Sequence, residues 1–183
     1  MAFLSPLHAQ QVPSVEQQIG RAVAALPEAD RADAMVFGYR DGTTLSVLRE
    51  GTNEFVCLGD TPGDDRFQTS CYHKGLEPFM ARGRALREQG MNTNQVRETR
   101  ASEVEAGSLE IPIGATIVTL FGSVDASGAV SDSVNVLRVI YLPFATAAST
   151  GLRTQPSRTD PYLMDPGQHR AHVMIPGARR AFP

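Results

Sequence analysis

Apolar positions along this chain follow two periods, and the switches between them mark out the elements. Val15, Ile19, Ala22, Val23 and Leu26 fall on one helical stripe that stops at Pro27, and Ser14 with Gln17 three residues later has the form of a capping box. The period then drops to two. Residues 34–40 and 43–49 flank Asp41-Gly42, the strongest short hairpin signal in the sequence, and 50–53 form the next turn. Residues 55–58 are apolar and β-prone. A Gly/Asp/Pro-rich reversal follows at 59–65, and 66–72 then alternate with Phe67, Thr69 and Cys71 on one face. These four runs predict an antiparallel meander.

Helical spacing returns at Glu77-Pro78, where proline suits a first turn. Phe79, Met80, Gly83 and Leu86 carry the stripe until Gly90 closes it. A second helix, capped by Asn92 or Thr93 and stopped by Gly107, has the weak stripe of an element that covers the body without entering it. Residues 115–122 and 134–142 predict a second hairpin around a polar turn at 125–128. Residues 144–163 lose all period, 162–167 form a turn, and 169–175 resemble a last strand. The expected fold is α+β: a mainly antiparallel sheet of about six strands in two hairpin or meander units, with an N-terminal helix and a central helix pair. Residues 13–176 make one domain, flanked by a residual leader or disordered N-terminus at 1–12 and a tail at 177–183.

Composition narrows the setting. A chain of 183 residues can bury its own core. A net charge of −3, with arginines interspersed among acids, excludes an electrostatic nucleic-acid binder. Arg82, Arg84, Arg87, Arg97 and Arg100 gather on the central helices beside Glu88, Glu98, Glu103 and Glu105, the pattern of an ion-paired, solvated face. No segment is long and apolar enough for a membrane span. Leu7-His8-Ala9-Gln10 has the small residue of a secretory cleavage site, although the basic and apolar parts of a leader are missing before it; a trimmed leader implies a periplasmic or secreted protein.

That setting bears on the two cysteines. Cys57 and Cys71 lie symmetrically about residue 64, so folding the hairpin there puts them opposite each other, and an oxidising compartment favours a disulfide. The competing reading is a Cys71 thiolate beside His73 on the same strand face, without an orienting third group.

No Gly-rich phosphate loop, His-Glu-x-x-His, zinc cysteine quartet or Gly-x-Ser-x-Gly elbow is present. Histidine and carboxylate carry what chemistry remains. His73, Glu77 and His172 form a candidate catalytic set, with Asp165 or His169 orienting them. His73, Glu77, His169 and His172 are also a candidate ligand set for a divalent transition metal such as zinc. Against this, His172 suits a half-buried structural role, His169 an exposed one, and Glu77 a helix-dipole partner. Two function classes follow: a small exported hydrolase using that His/carboxylate site, or a non-catalytic module that binds a small molecule or a protein. Neither class fixes the oligomeric state. A pocket lined by the His/carboxylate residues favours the first, and a groove remote from them the second.

Overall fold

The structure, a computed structural model, describes residues 12–182. Its frame is one mixed eight-stranded sheet: β1 Met35–Tyr39, β2 Leu45–Arg49, β3 Phe55–Leu58, β4 Arg66–His73, β5 Thr116–Ser123, β6 Ser133–Tyr141, β7 Tyr162–Met164 and β8 His172–Ala181, in the order β2-β1-β3-β4-β5-β6-β8-β7. Helix α1 (Val15–Val23) packs on one face, followed by the short α2 (Glu28–Arg31). Helices α3 (Glu77–Glu88) and α4 (Thr93–Glu105) pack on the other, and a one-turn helix, α5 (Ala147–Thr150), lies in the 144–163 segment. The α+β class is as the sequence predicts.

Three features depart from it. The first four strands are not a simple meander, because β3 leaves β2 and pairs with β1 in parallel, Val36 opposite Cys57. The 50–54 connection must therefore cross the start of β1. Gly51 makes that crossing: a Cβ there would lie 2.3 Å from the Met35 nitrogen, so no side chain fits. The backbone amides of Thr52 and Asn53 donate to the Asp33 carbonyl at 2.8 and 3.1 Å, which fixes the crossing. Second, Tyr162–Met164, expected within a turn, is a strand on the sheet edge. Third, β8 begins at His172 and continues through Pro176 to Ala181. Proline is tolerated there because β7 pairs only with His172, Val173 and Met174, leaving the outer side of Pro176 without a ladder neighbour.

The capping boxes explain where the helices start. Ser14 and Gln17 exchange side-chain-to-backbone bonds of 3.0 and 3.2 Å at the head of α1, and Asn92 with Gln95 does the same for α4. The far end of α1 is buried, so its free carbonyls need donors. The Thr69 hydroxyl donates to the Ala22 carbonyl at 3.1 Å, and Arg180 donates to that of Ala24. In α4 only Val96 is buried, in keeping with its weak stripe. Its place is held by Arg82–Glu103 across the two helices and by Arg100, whose guanidinium lies 4.0 Å over the Phe79 ring.

Cys57 and Cys71 are register partners in β3 and β4, 4.1 Å apart at Cα, and are joined as a disulfide. With Phe67, Thr69, Leu120 and Val36 they form the floor under α1. Val56, Tyr72, Leu76 and Phe79 form the core under α3 and α4. Each such Leu, Val or Phe contributes about 1.5–3 kcal/mol on burial. No helix among the described residues is long and apolar enough to cross a membrane.

Candidate ligand-binding groove

Helix α3 covers only part of its face of the sheet. Strand β4 alternates Phe67, Thr69 and Cys71 toward α1 with Gln68, Ser70 and Tyr72 toward α3. Tyr72 lies beneath the helix and is 1 % exposed, whereas Ser70 is half-buried and Gln68 exposed. Where the cover ends, a groove of about 490 Å³ opens, floored by Leu58, Gln68 and Ser70 and walled by Tyr39, Asp60 and Arg84. Its size is that of a small-molecule site.

Each wall has a reason to hold its shape. The Arg84 guanidinium donates to the Tyr72 hydroxyl at 3.0 Å and to the Glu77 carboxylate, and it lies 4.5 Å over the Phe37 ring. Tyr72 in turn donates to Glu77 at 2.6 Å. Burial, helped by the Glu77 carboxylate, pushes the Tyr72 phenol well above its usual range, so it remains a donor. Glu77 and Arg84 stand two helical turns apart on one side of α3, and the loop between β3 and β4 faces them. There Gly59 donates its amide to the Phe37 carbonyl at 2.8 Å, Tyr39 and Thr61 share a hydroxyl bond of 3.0 Å, and Asp64 holds Arg66 at 2.8 Å. On the floor, the Ser70 and Thr119 hydroxyls are 2.9 Å apart.

Asp60 is an acid of the groove. It accepts the Gln68 amide at 2.8 Å and enters none of the ion pairs formed among the described residues. Burial, with a smaller contribution from the Asp64 charge, raises its pKa to about 6 against the lowering effects of that amide bond, the Arg21 charge and the Thr61 amide. Arg87, also on the wall, is likewise without a carboxylate, its Nη1 donating only to the Gly83 carbonyl at 3.2 Å. The groove thus presents an acid and a guanidinium that form no salt bridge among the described residues, backed by the fixed Arg84.

The residues expected from sequence do not line the groove; Glu77 touches it only through Arg84. His73 faces the α1 side, edge-on to Phe55 at 6.5 Å, with its Nδ1 accepting the Gly75 amide and its Nε2 3.6 Å from Glu54. Glu77 is engaged by Tyr72 and Arg84. His172 faces the α3 side, 5.5 Å from the Tyr141 ring, with Nδ1 at 2.7 Å from the Arg170 carbonyl. Strands β5 and β6 separate it from His73, three strand spacings or about 14 Å. His169 is in the turn before β8 and is buried, not exposed, while Asp165 holds Arg170 at 3.0 Å.

His73, Glu77, His169 and His172 are not brought together, and among the described residues no group of three or more His, Cys, Asp or Glu side chains is placed to hold a metal ion. The alternation of β4 is the physical reason, since it sends His73 to the face opposite Tyr72. Leu7 to Gln10 lie outside the described residues.

Sequence reasoning missed the groove because Asp60 sits in a run of turn formers and reads as one more of them. The one available signal was the Glu77/Arg84 spacing, which puts both on one helix side above the alternating face of β4. No protein-family model, characterised protein or solved structure matches this chain.

Proposed function

We propose that this chain is a non-catalytic binding module that takes a small zwitterion, of amino-acid or dipeptide size, in the groove between α3 and the β3–β4 loop. The carrying observation is Asp60: a half-buried carboxylate that enters no salt bridge among the described residues, with Arg21 acting on it only at longer range, across a groove from arginines. A ligand ammonium supplies the missing charge at Asp60. A ligand carboxylate is received by Arg87 and by the N–H groups of Arg84 that Tyr72 and Glu77 leave free. None of His73, Glu77 and His172 lines the groove, which favours the binding class over the hydrolase. The Cys57–Cys71 disulfide supports an oxidising, periplasmic or secreted setting.

The test is calorimetric titration of the protein with a panel of free amino acids and dipeptides, repeated on Asp60→Asn and Arg87→Ala. At least one zwitterion is expected to bind, weakened by about tenfold or more in each variant, the worth of one charge-assisted hydrogen bond. Absence of binding across the panel, or affinities untouched by both substitutions, overturns the proposal.

A further inference from the structure

A second cleft, of about 340 Å³, which shares no lining residue with the first, lies between α4 and the turns that follow β6 and β7. Its walls are Arg97, Glu98 and Glu105 from α4 and Phe144, His169 and Arg170 from the turns. The three buried side-chain atoms that lack a hydrogen-bond partner among the described residues are Arg100 Nε, Asp165 Oδ2 and His169 Nε2, and all belong to this corner. Orphaned buried polar atoms are uncommon in folded proteins, and three together call for a cause.

The backbone adds an independent sign. Phe144 and Asp165, at φ 63° and 52°, are the two residues other than glycine with left-handed backbone among those described. Such conformations persist only where surrounding structure imposes them, and they gather at ligand sites. Here two amide bonds impose it: Phe144 donates to the Gln168 carbonyl at 2.8 Å and Gly167 to that of Ala145 at 2.7 Å. The result holds the Phe144 ring on the rim, 54 % exposed, beside a histidine that is 6 % exposed.

The charges settle the sign of the guest. Arg100 stacks on Phe79 and donates to its carbonyl at 3.3 Å, and no carboxylate pairs with it among the described residues. Burial lowers its pKa to about 10; Tyr141 opposes this, and Arg87, Arg170 and Arg97 add smaller repulsions. Burial and then the charges of Arg170 and Arg100 likewise hold His169 below its ordinary value, so at neutral pH it is an uncharged imidazole facing cations. The acids nearby offset this less at His169: Asp165 is engaged by Arg170, and the effect of Glu105, exposed like Glu98 and Arg97, is smaller than that of Arg170 or Arg100. A metal cation is repelled from such a place.

We propose that this cleft is an anion site for a small apolar carboxylate, its carboxylate received by His169 Nε2–H, Arg170 and Arg97 and its apolar part seated against Phe144. The site is distinct from the zwitterion groove and stands or falls without it.

The experiment uses benzoate as the probe, with benzamide and benzylamine as neutral and cationic isosteres, followed through the histidine ring resonances by NMR. His169 is assigned with His169→Gln. Benzoate is expected to shift the His169 signals while leaving His73 in place, and exposed Arg97→Ala, which keeps the fold, to weaken the response about tenfold. Benzylamine should leave His169 unmoved. No His169 shift at millimolar benzoate overturns the proposal; so does an equal response to benzamide, which would make the cleft merely apolar, or an unchanged affinity in Arg97→Ala.

Discussion

The β3–β4 hairpin has two faces built from alternate residues of the same strands, and they have opposite fates. Toward α1 it offers Cys57, Cys71, Thr69 and Phe67, all buried and with the two cysteines covalently joined. Toward α3 it offers Leu58, Gln68, Ser70 and Tyr72, whose burial fades along β4 as the helix cover runs out. The sealed face can be almost wholly apolar, and its one buried hydroxyl, Thr69, is bonded to the Ala22 and Leu58 carbonyls. The open face has to satisfy each polar group by hand, and Asp60 is left with amide bonds and no salt bridge among the described residues. One strand pair thus separates stability from recognition, residue by residue.

The sharpest way to break that separation is to remove the disulfide. Cys57 and Cys71 are 14 residues apart in sequence. Closing a loop of that size restricts the unfolded chain by about 3 kcal/mol. The double variant Cys57→Ala/Cys71→Ala should lose at least that much in a denaturant titration. Because the bridge lies on the face away from the groove, affinity for the zwitterion should change less than about twofold under conditions where the variant is folded. A parallel loss of affinity would mean that the two faces are one cooperative unit.

How far the sequence reveals this division depends on whether a feature is local. The disulfide is legible because β4 alternates and the cysteines are symmetric about the turn, and the Ser14/Gln17 box because its partners are three residues apart. The parallel pairing of β1 with β3 is not legible. The turn formers of 50–53 read the same whether the chain returns beside β2 or crosses over β1, and only the space around Gly51 distinguishes them. Pro176 reads as a stop because the sequence does not show that its outer side faces an open edge. The groove draws Tyr39, Asp60, Ser70 and Arg84 from four segments, so no spacing announces it. The histidine set fails for a related reason: sequence counts ligands, but the sheet decides that His73 and His172 lie on opposite faces.

A smaller effect is expected from loosening the wall of the open face. In Glu77→Gln the Arg84 guanidinium, whose side chain is 16 % exposed, loses its only anionic partner and Tyr72 loses its charged acceptor. For a pair buried to this degree the cost is about 2 kcal/mol, less than for a fully buried one. Affinity for the zwitterion should fall several-fold as Arg84 loses its orientation, whereas Glu103→Gln, which frees Arg82 on the far side of α3, should leave it unchanged. Equal effects from the two variants would show that helix stability, not the placement of Arg84, governs binding.

The smallest and most diagnostic effect belongs to Asp60. Burial raises its pKa from 3.8 to about 6, so between those values the folded chain holds a proton that the unfolded chain has lost. The stability this group contributes is full below its unfolded pKa and is lost as pH rises through about 6. A shift of two units corresponds to about 3 kcal/mol, which solvent screening of this partly exposed carboxyl reduces to about 1 kcal/mol. Asp60→Asn removes the penalty, so the variant should be more stable than the parent by about 1 kcal/mol above pH ~6, with the gap closing toward pH ~4. Ligand affinity should move the other way, falling in the parent as the carboxylate is protonated, and in the variant it should be weaker and independent of pH across this range. Denaturation and titration series over the same pH range check both slopes. A stability difference that stays flat with pH would mean that Asp60 keeps its charge in water, and the open face would then lack the unsatisfied group on which its recognition depends.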